Sequence, residues 1–197
     1  MSKPAVLCIA RSFLETMDIN KPDISAIPEE EINFINRKYA DSQDITLGYQ
    51  FPQVIPVILF KCGDEYLTYE RVGSEERLHK KFSLSVGGHI DIHDALDIET
   101  EYDAESIITD ACSREAAEEV NFHTWIKPEH FKHIINTPVD DVSSVHVGFV
   151  CIIELDSKDD VKPSEEIPEF HWLTKPELFT NLHAFEAWGQ YIINKVI

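Results

Sequence analysis

Positive charge is scarce in this chain. Of 197 residues only 17 are Lys or Arg, against 36 Asp or Glu, which leaves a formal net charge of −19. Such a surface repels phosphate backbones and anionic headgroups before contact, so a general binder of duplex nucleic acid and a protein of anionic membranes are both excluded. Long apolar runs are missing as well. No segment approaches the ~18 consecutive apolar residues that a transmembrane helix requires, and Ala5–Ala10 is too short an apolar run for a signal peptide. Paired cysteines are also absent. The four, at positions 8, 62, 112 and 151, show no CxxC spacing, and a reduced, cytoplasmic protein is the simplest account. Neither repeats nor low-complexity tracts interrupt the chain, and 43% apolar residues suffice for the core of one domain.

What is present is a helix with carboxylates in the wrong place. In Arg114-Glu115-Ala116-Ala117-Glu118-Glu119-Val120, a turn of ~100° per residue continues the apolar stripe of Ile108, Ala111 and Cys112 straight into Glu115 and Glu119. Glu118 falls at the edge of the stripe. Burying several ionised carboxylates together is costly unless a cation or hydrogen-bond donors neutralise them, so the pattern implies a divalent metal. Arg114, four residues before Glu118, can orient it as an ion pair but cannot balance three carboxylates. A solvated, alanine-rich helix would carry the same letters. The context favours the site: Ser85-Val86-Gly87-Gly88-His89 reads as a strand end running into a glycine pair, and Asn121 is a suitable left-handed residue to end the helix.

These residues resemble the signature of the Nudix hydrolase superfamily: a glycine, five residues, Glu, seven residues, then Arg-Glu-apolar-x-Glu-Glu-x-Gly-apolar. Arg114, Glu115, Ala116, Glu118, Glu119 and Phe122 match its second half in register, with Ala116 as a small aliphatic and Asn121 in place of the glycine. The distance from Gly88 to Arg114 is about twelve residues too long, filled by Ile92 through Asp103. Counted back from Arg114, Ser106 occupies the position of the first Glu, and Glu105, Glu101, Glu99 or Asp91 would have to replace it. Pro52–Pro56, Glu76–Leu78, Gly87–Ile90, Ser144–Gly148 and Phe185–Trp188 are further similar to a Nudix branch described as predicted phosphoesterases.

The resemblance implies an α/β fold, a Nudix-type α/β/α sandwich with a mixed sheet. Residues 1–48 are expected as an N-terminal extension packed on a Nudix domain of residues 49–197. In the extension, Ala5–Ala10 reads as a strand and Pro28–Ile35 as the start of a helix. Thereafter Val54–Phe60 and Tyr66–Glu70 form a hairpin, Phe82–Val86 and Val145–Ile153 are strands, Phe170–Leu173 is a short strand, and the chain closes with helices. Asp103 is the expected N-cap of the signature helix. The insert, acidic and without glycine, is expected as a mobile or partner-contacting loop.

The chemistry implied is hydrolysis of a phosphoanhydride in a nucleoside diphosphate derivative or related small molecule, with Mg²⁺, or Mn²⁺ in its place, bridging phosphate oxygens and acidifying a water. Glu115, Glu118 and Glu119 are the candidate ligands, and Arg114, Glu118 and Glu119 the candidate catalytic residues. Gly87 and Gly88 would let a phosphate approach the backbone, and Arg71 and Arg77, with Lys80 and Lys81, would clamp it. Asp140, Asp141, Glu165 and Glu166 lie in loops that could supply a general base. His89, Asp91 and His93 would share a face if extended, a weak case for zinc, and Asp91, Asp94 and Asp97 do not have EF-hand spacing. Trp172 and Trp188 suit a core better than a base stack. A homodimer is compatible with the sequence. The competing function is a Nudix-fold module that binds a nucleotide or a protein without turnover. Retention of all three carboxylates speaks against it, because without metal they only cost stability.

Overall fold

The computed structural model describes residues 4–40, 48–71, 81–96, 103–137 and 143–197, without the side chains of residues 38 and 39. In chain order its strands are β1 (Ala5–Cys8), β2 (Asn33–Asn36), β3 (Gln53–Cys62), β4 (Glu65–Glu70), β5 (Phe82–Ser83), β6 (Phe131–Ile135), β7 (His146–Glu154) and β8 (His171–Thr174). The helices are α1 (Arg11–Leu14), α2 (Arg37–Ala40), α3 (Ile92–Leu96), α4 (Ala104–Val120), α5 (Lys175–Thr180) and α6 (Ala187–Lys195).

The sheet is mixed. β3 and β7 run parallel, in register from Gln53↔His146 to Lys61↔Glu154, and β6 continues beyond β7 in the antiparallel sense. The hairpin expected from the sequence joins β3 to β4 around Gly63, and β4 then pairs with β8 and β5. Alternation along the two central strands sends side chains to opposite faces. Val54, Ile58 and Phe60 of β3, with Val147, Phe149, Cys151 and Ile153 of β7, join the core under α4. Val57, Leu59 and Val150 join the opposite core under α5 and α6. Two helical layers on one sheet follow from that period of two.

Residues 5–36 are woven into the same sheet. β1 pairs with β2, bridges to β3 at Cys8↔Gln53, and reaches the glycine segment through Leu7 N–H donating to the Ile90 carbonyl and a bridge from Val6 to Asp91. The helix expected from Pro28 is corrected. A single 3₁₀ turn, Glu29–Glu31, gives way to β2, because strand pairing with β1 outweighs the helix-start residues. The strand expected over Phe82–Val86 is shorter: β5 holds two residues, and Val86 exchanges both backbone hydrogen bonds with Ile58 at 2.9 and 3.0 Å. The insert is not wholly a loop, since its first five residues form α3.

Candidate functional site

Local rules place the signature helix. Asp103 caps it, its Oδ1 accepting from the Ser106 N–H at 2.8 Å, and Asn121 ends it in the left-handed conformation with φ 53°. Ile107, Ile108, Ala111, Cys112, Ala116 and Val120 face the sheet core. Glu115 continues their stripe and is only 8% exposed. Glu119 is half-buried one turn on, while Glu118 is exposed.

The glycine pair is what makes room for these carboxylates. Gly87 has φ +142°, and a Cβ there would overlap the Pro56 carbonyl of β3, so only glycine lets the chain cross the strand at this point. Its N–H donates to Glu119 Oε2 at 3.3 Å. A Cβ on Gly88 would lie 2.5 Å from Glu115 Oε1 and 2.8 Å from its Cδ. Gly88 therefore leaves the space that the Glu115 carboxylate fills.

Arg114 knits the other side together. Its Nε and Nη2 donate to the two carboxylate oxygens of Asp94 at 2.6 and 3.1 Å, a bidentate pair with an Asp94 side chain only 6% exposed. Its Nη1 donates to Glu115 Oε1 at 2.9 Å and to Glu118 Oε2 at 3.0 Å, and Nη2 also reaches the His89 carbonyl at 3.2 Å. Burial opposes the guanidinium charge, but Asp94 and Glu115 outweigh it and hold Arg114 more firmly protonated than usual.

Asp94 was missed when the sequence was counted from Arg114. Counted from Gly88, five residues intervene before Asp94, which is the spacing of the signature's first acid. Ser106 belongs to the helix cap, its N–H and Oγ both donating to Asp103. Of the residues considered in its place, Glu105 lies in the first turn of α4, and the Asp91 side chain accepts from the His93 N–H at 2.8 Å. Glu99 and Glu101 lie outside the described residues, as do Arg77, Lys80, Asp140 and Asp141.

The electrostatics separate the two carboxylates of the stripe. Burial raises the Glu115 carboxyl, and Arg114 partly offsets it. Burial also pushes Glu119 up to about 8, helped by the Glu115 charge and by Glu166, against the Gly87 N–H and Arg71. A group that would ionise near pH 4.5 in water is thus held toward its protonated form. Buried oxygen donors lacking sufficient positive charge suit a hard divalent ion. Among the described residues no three His, Cys, Asp or Glu side chains converge on one point. One Nη1 of Arg114 bridges an oxygen of Glu115 and one of Glu118.

Two depressions flank α4. One, of about 380 Å³, is lined by Asp91, His93, Asp94, Asp110, Arg114 and Glu118. The other, of about 280 Å³, is lined by Tyr69, Arg71, Glu119, Glu165, Glu166, Ile167 and Pro168. The second brings together Arg71, Glu119 and the Glu165–Glu166 loop. Lys81 is turned away, its Nζ donating to the His183 carbonyl at 2.9 Å. Asp91 precedes α3 and His93 lies within it, so with His89 they do not form the extended face that a zinc site would need. Trp188 packs against Gly148 and Trp172 against the core under α4, as core residues do.

Comparison with known proteins places this geometry. No family model matches the chain. Protein YmaB of Bacillus subtilis (strain 168) is 30% identical over 152 residues, 74% of this chain and 71% of that protein. Among solved structures, Tm1382, a candidate Nudix hydrolase, superposes with a TM-score of 0.67 at 20% identity, over 96% of each chain. The chain belongs to the family of Protein YmaB. A Nudix hydrolase from Nitrosomonas europaea shares the fold at a TM-score of 0.50 and 18% identity, over 73% of this chain and 88% of that one. So does a bifunctional NMN adenylyltransferase/ADP-ribose pyrophosphatase from Francisella tularensis, complexed with AMP and a manganese ion, at 0.51 and 15%, over 73% of this chain and 40% of that one. The Nudix sandwich with a mixed sheet, expected from the signature, is the fold observed. Among the described residues no helix is long and apolar enough to cross a membrane.

Proposed function

We propose that the protein is a divalent-metal-dependent hydrolase of phosphoanhydride bonds in a nucleoside diphosphate derivative or a related small diphosphate. The observation that carries this is the state of Glu119. Its carboxylate is half-buried one turn from Glu115, faces a cavity, and among the described residues has the charge of Arg71 as its opposing cation.

Glu115 and Glu119 would hold the ion, Mg²⁺ or Mn²⁺, with Glu118 joining when its oxygen leaves Arg114. The bound ion supplies charge neutralisation at the diphosphate oxygens and a water acidic enough to be deprotonated near neutral pH. Arg114 orients Glu115 and Glu118 and is itself held by Asp94. Arg71, exposed at the cavity edge, would take a phosphate oxygen, whereas Gly87 and Gly88, expected to admit a phosphate, instead make room for the Pro56 carbonyl and the Glu115 carboxylate. Tyr69, Ile167 and Pro168 offer apolar wall for the group linked to the diphosphate, and Glu165 and Glu166 face the same space as proton acceptors. The likeness to a fold neighbour described as an ADP-ribose pyrophosphatase with AMP and manganese supports this reading. The chain's four free cysteines suit the cytoplasm, and its net charge of −19 suits a small substrate rather than duplex nucleic acid.

A panel of nucleoside diphosphate derivatives, including ADP-ribose, with and without Mg²⁺ or Mn²⁺, tests the proposal. Metal-dependent release of a monophosphate is expected. Absence of release from the whole panel, by a folded protein that does bind Mn²⁺, would overturn it in favour of a binding module.

A further inference from the structure

Asn121 stands where the Nudix signature has glycine. At φ 53° glycine would be the less strained residue, yet the side chain present has a use that glycine cannot supply. Its Nδ2 donates to the Lys162 carbonyl at 3.3 Å and to the Pro163 carbonyl at 2.9 Å. Beside it, the Lys162 N–H donates to the Val120 carbonyl at 2.8 Å.

The segment held in this way leads directly to the cavity beside Glu119. Ser164 Oγ accepts from the N–H groups of Glu166 and Ile167 at 3.2 and 3.1 Å, and the Ser164 N–H donates to the Ile167 carbonyl at 3.0 Å. Val161 and Ile167, 2% and 3% exposed, anchor the two ends of the turn in the core that also contains Val120. Between these anchors Glu165 and Glu166 project toward the cavity that Glu119 and Arg71 line from the other side.

We infer that Asn121 is a positioning residue for the reaction: its carboxamide ties the Glu165–Glu166 turn to the end of the signature helix and so fixes the width of the substrate cavity opposite Glu119. The inference rests on the hydrolase reading of the same site. The clamp couples two walls of the cavity that are far apart in sequence, so that the helix bearing the metal-binding carboxylates and the turn bearing the facing carboxylates move as one body. A misplacement of such a turn is felt in turnover even though none of its atoms is lost.

The test is Asn121→Gly, which suits the left-handed backbone and removes only the carboxamide, with Asn121→Asp as an isostere that keeps the shape but loses the donor. Both are assayed on whichever diphosphate the parent hydrolyses fastest, with Mn²⁺ affinity and amide hydrogen exchange over residues 162–168 measured in parallel. Both variants should fold and bind Mn²⁺ as the parent does, exchange faster in the turn, and lose about tenfold in kcat/KM. The same loss in Asn121→Asp and Asn121→Gly separates the donor from a backbone effect. Parental kcat/KM in Asn121→Gly overturns the inference, as does parental exchange over the turn. A parent that hydrolyses no diphosphate overturns the hydrolase reading and the positioning role with it, a result distinct from an active parent matched by an equally active variant.

Discussion

Glu115 and Glu119 sit one turn apart on one helix, and the protein treats them differently. Glu115 is the deeper, but it has Arg114 at 2.9 Å, and that arginine is in turn fixed by Asp94 at 2.6 Å. Glu119 is less buried, and among the described residues it has a 3.3 Å contact from the Gly87 N–H and the charge of Arg71. The better buried carboxylate is thus the better compensated one, and the unmet charge is concentrated on the residue that faces a cavity. Burial and the balance of charge around each carboxylate together set the two states.

The largest effect expected from this contrast is on the metal-free protein. Glu119 is raised from 4.5 to about 8, so between these values the folded state keeps a proton that the unfolded chain has released. The contribution of Glu119 to stability is therefore full below pH 4.5 and is lost as pH rises through about 8, by an amount on the order of a few kcal/mol. Chemical denaturation of the EDTA-treated protein across this range should show the decline, and Glu119→Gln should flatten it. A decline of equal slope in the variant would assign the titration to another group.

Next in size is the compensated side. Asp94→Asn keeps the shape but removes the charge that grips Arg114, and should cost about 2–3 kcal/mol in denaturant titration. A cost within experimental error would mean that Glu115 and Glu118 suffice to place the arginine. Smaller again is Gly88→Ala, whose Cβ would press on the Glu115 carboxylate. About 1–3 kcal/mol is expected, along with weaker Mn²⁺ binding. Unchanged metal affinity would show that Glu115 can withdraw without consequence.

Much of this contrast was legible in the sequence because it is local. The Asp103 cap, the left-handed Asn121, the apolar stripe running into Glu115 and Glu119, and the reach of Arg114 to Glu118 all follow from helical spacing. The partner of Arg114 was not legible from that end of the signature. Asp94 is twenty positions away in sequence, and only the fold brings the two together. That Glu118 and Glu119 line different depressions likewise needed the packing of the Ile167 turn and of α3. At residues 33–36 a helix-like start became β2, since the neighbouring strand offered more than local propensity could.

On the proposed function, the under-compensated carboxylate of Glu119, with Glu115, holds a divalent cation. Calorimetric titration of Mn²⁺ into the metal-free parent and into Glu119→Gln tests it most directly. The account expects binding to the parent, raised by increasing pH because the ion displaces the Glu119 proton, and affinity reduced by at least about tenfold in the variant. Equal affinity in the two proteins, or no binding to the parent at any pH up to about 9, where Glu119 has lost its proton, would contradict it.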